Sequence, residues 1–339
     1  MAYSNLVSSF ALFARAPDGA PSPHRFVSCL AACALALTLP ACGDEDSKDQ
    51  SEDADHHDAG QQDAAEPDAS VPDSAVDAAP ARRAVSIDFA AVVGSAPFSC
   101  GTTFTNLGSS RASAVFKDFR LYLYDVRLVD AAGTETPVTL DQSIWQYQDA
   151  VLLDFEDGTG NCGNGSTETN TKITGEVASG DYTGVIFKVG LPPALNHSDP
   201  TNTPAPLDLP ALSWGWNMGR TFVVIDMVTT PVGDGAGVPF PVHAGSTMCT
   251  GNALAGEQVS CQRRNVGEVK FATFNTEGSK IVIDCAELLK GVAIDGSGTG
   301  CMSSVGDPEC DIVLPRLGID FTTGGTSAST QTVFSVVAK

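Results

Sequence analysis

Residues 85–337 repeat one pattern: a short run of alternating apolar residues, then a break at Gly, Pro, Asn or Asp. Alternation with period two puts every second side chain on one face, which suits a half-buried strand and not a helix. Strands are expected on this basis at 85–93, 116–129, 150–155, 182–191, 221–227, 269–274, 280–284, 319–321 and 332–337. Asp157-Gly158, Asn164-Gly165 and Asp234-Gly235 supply turn signals between them. One short helix is expected, capped by Asp284, running from Ala286 to Lys290 and ending at Gly291. No βα unit recurs, so the fold class is all-β: an immunoglobulin-like antiparallel β-sandwich. Residues 158–175 and 192–210 read as long loops that a function or a disulfide should hold.

Ahead of this region, Arg15, His24 and Arg25 precede an apolar run over 26–39 and then Pro40-Ala41-Cys42. That is the layout of an export signal, and the run is too short for a stable membrane span. Leu39-Pro40-Ala41-Cys42 resembles the lipobox of bacterial lipoproteins, in which the cysteine carries the lipid. Plain secretion with cleavage near Ala41 is the alternative. Residues 1–42 are thus expected to be a signal peptide, leaving a protein in the periplasm or on the cell surface. Its membrane attachment would be by lipid alone, and Gly43 does not match the usual inner-membrane retention signal, which points to the outer membrane.

Residues 43–80 hold 13 acidic side chains against the single Lys48, and so carry 12 of the chain's net 22 negative charges. With Val71 and Val76 as their larger apolar side chains, they cannot offset the entropy of ordering and are expected to form an extended acidic tether. His56-His57 within it read as incidental. The folded domain is then expected over 81–339. An acidic chain lacks the basic patch that phosphate neutralisation demands, which excludes nucleic acid as a partner.

Cys100, Cys162, Cys249, Cys261, Cys285, Cys301 and Cys310 lie in the folded part. Outside the cytoplasm such a set is read first as disulfides. Cys301 with Cys310 and Cys249 with Cys261 each close a short loop, leaving Cys100 to pair with Cys162 across the sheets. An odd cysteine remains. Cys285 follows the strand-like Ile281-Val282-Ile283-Asp284 and suits a small buried apolar position.

His197 and His243 are the histidines of the folded part, each in a turn-rich segment. Loop residues at sheet ends are where sites are commonly built, and two imidazoles suit copper, zinc or nickel. Between them lies Leu212-Ser213-Trp214-Gly215-Trp216-Asn217-Met218-Gly219-Arg220. If this stretch is extended, Trp214, Trp216 and Met218 share a face, as a soft-ligand wall or as ordinary core. Asp154, Glu156, Asp157 and Asp181 fit no calcium-loop spacing and read as loop and turn residues. No nucleophile elbow, phosphate loop or paired-histidine zinc helix is present, and no enzyme activity is expected.

Several segments together carry a family resemblance: Gly184 through Pro192, Leu195-Asn196-His197-Ser198-Asp199, Pro204-Ala205-Pro206-Leu207 and Trp214 through Gly219. Further matches are Asp118 through Tyr122, Leu152 through Asp157, His243 through Cys249, Gly300-Cys301-Met302-Ser303 and Asp307-Pro308-Glu309-Cys310. In this order they resemble the MbnP-like copper-binding proteins, and more closely their four-cysteine-motif branch, the metallo-mystery pair proteins. The resemblance implies a β-sandwich that binds one copper ion for acquisition, storage or delivery. It implies His197 and His243 as imidazole ligands and Trp214 or Trp216 as a tryptophan oxidised to kynurenine, with Met218 nearby. The oxidant it implies is a partner diheme protein similar to cytochrome c peroxidase. Kynurenine presents an aryl amine and a carbonyl where indole offers only an N–H donor. Two positions depart from the family pattern: Arg220 where an aromatic residue commonly follows the glycine, and Ala244 where a larger apolar residue is usual. The competing class is a non-metal surface binding or adhesion module that uses exposed tryptophans.

Overall fold

The computed structural model describes residues 80–163, 165–215, 218–230 and 237–339. Cys42, the export segment, nearly all of the acidic tether, Trp216 and the Asp234-Gly235 turn lie outside the described residues. The principal strands are β1 Arg82–Val93, β2 Ala112–Asp130, β3 Ala150–Asp154, β4 Lys172–Ala178, β5 Tyr182–Val189 and β6 Thr221–Thr230. They continue with β7 Val238–Gly245, β8 Thr247–Thr250, β9 Ser260–Arg263, β10 Gly267–Phe271, β11 Ser279–Asp284 and β12 Phe334–Ala338. One sheet runs β12-β11-β1-β4, and the other runs β7-β6-β2-β5-β10 with β3 on the second edge of β2.

The protein is thus an all-β sandwich, and its core lies between the sheets. Phe187 of β5 stands edge-on to Phe89 of β1 at 5.8 Å and to Phe334 of β12 at 5.5 Å, so one ring ties both layers. β1 alternates buried and half-buried residues as a strand with one covered face must. β2 buries Asp118 through Tyr124 without a break, because the centre of the larger sheet is covered on both faces.

Cys100–Cys162, Cys249–Cys261 and Cys301–Cys310 are disulfide-bonded, and Cys285 is a buried free thiol. The expected helix is present as α2 Cys285–Leu289, with the Asp284 carboxylate accepting from the Ala286 N–H at 2.8 Å.

Four expectations need correction. β1 and β11 pair in parallel, which the long connection between them permits in an otherwise antiparallel sandwich. Two more short helices exist: α1 Pro193–Asn196 and α3 Cys310–Arg316. Pro193 and Pro315 hid them: the first sits at an N-terminal position, where a missing N–H costs little, and the second lies inside α3 one residue before its end. β4 begins inside the stretch read as loop; Gly175 broke its apolar alternation, but a Cβ there would lie 2.3 Å from the Thr139 carbonyl. Lastly, His243 lies on a strand and not in a loop. Pro239 and Pro241 disguised β7, which is the outer strand of its sheet and tolerates proline.

Candidate metal centre

β7 is held from both sides, which gives His243 a fixed backbone. On one side its register with β6 pairs His243 with Val224 and Pro241 with Asp226. On the other, the His243 N–H donates to the Cys301 carbonyl at 2.8 Å and the Ser303 hydroxyl to the His243 carbonyl at 3.0 Å. The Cys301–Cys310 bridge and α3 therefore brace the strand that carries this imidazole. Its Nε2 lies 2.8 Å from the Asp226 carboxylate, while its Nδ1 is buried without a hydrogen-bond partner among the described residues. A carboxylate on one ring nitrogen orients the ring and raises the donor strength of the other.

Trp214 packs against the same strand. Its six-membered ring fills the space a Cβ on Gly245 would need, 2.5 Å from Cζ3, and the indole and His243 rings are centred 6.4 Å apart. The segment around it is not an extended face of alternating side chains, as the sequence suggested. It is a tight reversal in which the Trp214 N–H donates to the Gly219 carbonyl at 3.0 Å and Gly219 N–H to the Gly215 carbonyl at 2.8 Å. Gly215 and Gly219 supply the positive φ values of 102° and 79° that this turn requires. Trp214 is half-buried and Met218 is exposed.

His197 follows α1 on a loop gathered by one buried side chain, Arg220. Arg220 is 2% exposed. Its guanidinium donates to the Leu207 carbonyl at 2.6 and 3.1 Å, to the Leu195 and Asn196 carbonyls, and to the Ser198 hydroxyl at 3.1 Å. Burial pulls its pKa down from the ordinary arginine value. The position that looked like a departure from the family pattern is the clamp of the His197 loop. Asn196 adds a second tie, accepting from the Arg220 N–H at 2.8 Å and donating to Ser246 Oγ at 3.2 Å. Ser246 stands just past His243 on the chain, so loop, reversal and strand converge at one end of the larger sheet.

The two imidazoles line different clefts. His197 shares one of about 320 Å³ with Asn196, Ser246, Cys261 and Arg264, and its Nε2 lies 3.1 Å from Asn196 Nδ2 and 3.3 Å from Cys261 Sγ. His243 shares another with Asp118, Asp226, Met227 and Met302. Ala244 is fully buried between them, where a larger side chain has no room.

Behind His243 lies a buried acidic group. Asp118 sits opposite Asp226 in the β2–β6 register and takes both of its hydrogen bonds from Arg120, one at 2.8 Å. Arg120 in turn faces Asp154 across the β2–β3 pair. Burial pushes Asp154 up to about 7 and also raises Asp118 and Glu156. Asp157 accepts from Thr159 as a turn residue should, whereas Asp154 ends β3 and is buried, and Glu156 is a loop residue that is nonetheless buried.

Sequence reasoning missed Arg220, Asp226 and Asn196. The signal for Arg220 was available: a charged residue between Gly219 and the apolar run Phe222-Val223-Val224-Ile225 must be neutralised or saturated with acceptors if that run is buried.

These features define a sandwich protein with a histidine on its outer strand and a tryptophan packed beside it. The MbnP family matches residues 82–303. A solved structure, MbnP from Methylosinus trichosporium, is similar at 34% identity and a TM-score of 0.69, covering 76% of this chain and 99% of its own. The chain belongs to the MbnP family. Comparison with curated proteins gave no match.

Proposed function

We propose that this protein is an exported, lipid-anchored copper-binding protein of the MbnP family, serving copper acquisition, storage or delivery and not catalysis. The observation that carries the reading is the pair of environments on one ring: His243 Nε2 fixed by Asp226, and Nδ1 buried with no hydrogen-bond partner among the described residues, in a ring centred 6.4 Å from that of Trp214. An orphaned buried imidazole nitrogen is costly unless something binds it. Copper leads the divalent series at nitrogen donors, and a neutral imidazole with a soft or aromatic neighbour is the donor set it prefers.

In this reading His243 is the anchor ligand, and His197, which lines a different cleft, is the second imidazole that the family resemblance implies. Trp214 is the favoured oxidation target, since it already contacts His243; a diheme peroxidase-like partner would convert it to kynurenine. Met218 lies on the same short reversal, and Trp216 follows Gly215 in sequence. Once bound, copper supplies a soft Lewis-acidic centre whose release depends on the donors that hold it. The chain's own residues orient one imidazole, keep the strand rigid and exclude water from the Nδ1 side.

The test is coexpression of the mature chain with a diheme partner. Purified protein is expected to contain about one copper per chain and added oxygen on the Trp214 peptide. H243A should lose the copper while keeping the fold. Unaltered peptide mass together with unchanged metal content would overturn the reading.

A further inference from the structure

The three disulfides differ in one respect that bears on chemistry. Cys100, Cys162, Cys301 and Cys310 are at most 1% exposed, whereas Cys249 and Cys261 are half-buried. The exposed bridge joins directly paired residues of the β8–β9 hairpin, which forms its own two-stranded sheet. It also touches a ligand-type side chain: His197 Nε2 lies 3.3 Å from Cys261 Sγ, and the donor atoms of His197, Cys249 and Cys261 all fall within 4.8 Å of one another. The cleft of about 320 Å³ that His197 and Cys261 line opens this side of the group to solvent.

We infer that Cys249, Cys261 and His197 form a second, redox-gated metal site that takes Cu(I) when the disulfide is reduced. This goes beyond the copper reading above, since it uses His197 but needs neither His243 nor an oxidised tryptophan. The gate is a thiol–disulfide exchange. A dithiol reductant gives two electrons and two protons to the Cys249–Cys261 bond and becomes a disulfide, leaving two thiols on the protein. Cu(I) then binds both sulfurs and the imidazole, and the two thiol protons leave to solvent.

The fold keeps the donors together after the bond opens. The ladder pairs Thr247 with Arg263 and Thr250 with Ser260 flank the two cysteines, so the sulfurs stay neighbours. His197 is held separately, by Arg220 and Asn196, and does not depend on the bridge. Two thiolates and one imidazole make a soft three-donor set. That favours Cu(I), because structural zinc calls for a fourth protein ligand. Reducing conditions that open the bridge also hold copper in the lower oxidation state.

The experiment uses the full mature chain made without a diheme partner. It is treated anaerobically with a dithiol, desalted, and titrated with Cu(I) against a coloured Cu(I) chelator. Reduced protein is expected to take up about one more Cu(I) than oxidised protein, and Cu(I) should protect Cys249 and Cys261 from alkylation in peptide mass spectra. H197A should weaken the extra uptake at least about tenfold, C249S/C261S should abolish it, and H243A should retain it, which separates this site from the one proposed above. Should C249S/C261S fail to fold, the alkylation pattern of reduced wild type decides alone. Equal uptake by both redox forms, equal alkylation with and without Cu(I), or an H197A titration matching wild type would each overturn the inference. Displacement of the bound Cu(I) by equimolar Zn(II) would overturn the choice of ion.

Discussion

Two of the buried arginines, Arg120 and Arg220, are satisfied in opposite ways. Arg120, 4% exposed, meets the Asp118 carboxylate and faces Asp154 and Glu156, so its surroundings hold more negative than positive charge. Arg220, 2% exposed, donates to main-chain carbonyls and one hydroxyl, so its charge is solvated by dipoles. Each stands behind one histidine. Arg120 and Asp118 lie across the strand register from the Asp226 that orients His243, and Arg220 clamps the loop that bears His197. The comparison teaches that one imidazole is set by regular pleat and pH-sensitive carboxylates, the other by a loop wrapped around a cation.

Removing Arg220 should break the comparison most severely. R220M leaves the carbonyls of Leu195, Asn196 and Leu207 without their buried donor, and is expected to cost about 4 kcal/mol in the urea midpoint. R220K should recover less than half of this, since a point-like ammonium cannot fork to acceptors on both segments. A loss below about 1 kcal/mol would mean that the loop stands without its cation.

The Arg120 side should respond to pH instead. The Asp154 carboxyl is raised to about 7 in the folded chain and titrates near 3.9 in an unfolded one. The folded state therefore binds this proton more tightly. Its contribution to stability is complete below about pH 4 and is lost as pH rises through about 7, amounting to about 4 kcal/mol at most. Asp118 and Glu156 are raised by burial too and act with the same sign. Subtracting the D154N stability curve from that of wild type should isolate the slope, and parallel curves from acid to neutral pH would refute the assignment.

Much of this fold was legible in the sequence, for a definable reason. Every strand that alternates apolar residues cleanly was found, and the cysteine spacing paired all six bonded sulfurs correctly. What failed was local punctuation read too literally. Pro239 and Pro241 argue against a strand only when its N–H groups must pair on both sides, and β7 is an outer strand. The reversal at Trp214 was read as an extended face because alternation of Trp, Gly, Trp, Asn and Met mimics a strand, whereas Gly215 and Gly219 were the true signal. The partners of Arg220, Asn196 and Asp226 were invisible since they are distant in the chain, on other segments or another strand, and periodicity carries no such information.

On the His243 side, the orienting carboxylate can be removed without touching a ligand. D226N keeps the size of the side chain and a hydrogen bond, but it loses the charge that raises the donor strength of the ring. Copper affinity is expected to fall about 10- to 100-fold, with little change in stability. The same substitution should leave any Cu(I) uptake by reduced Cys249 and Cys261 intact. If affinity is unchanged, Asp226 is only a surface partner of the imidazole.

A small stability effect should come from Gly245, where the two histidine regions meet. A Cβ there would stand 2.5 Å from Trp214 Cζ3, too close for any packed carbon, so the indole or the strand has to shift. Trp214 is half-buried on a two-glycine reversal and can move more easily than β7, which is paired with β6 and with Cys301. G245A is therefore expected to cost only about 1 kcal/mol while displacing the indole from His243. Tryptophan fluorescence should change, and oxidation of the Trp214 peptide by the diheme partner should slow far more than unfolding accelerates. A large loss of stability with unchanged fluorescence would show that the strand gave way instead, and that the contact between Trp214 and His243 is the firmer part of the site.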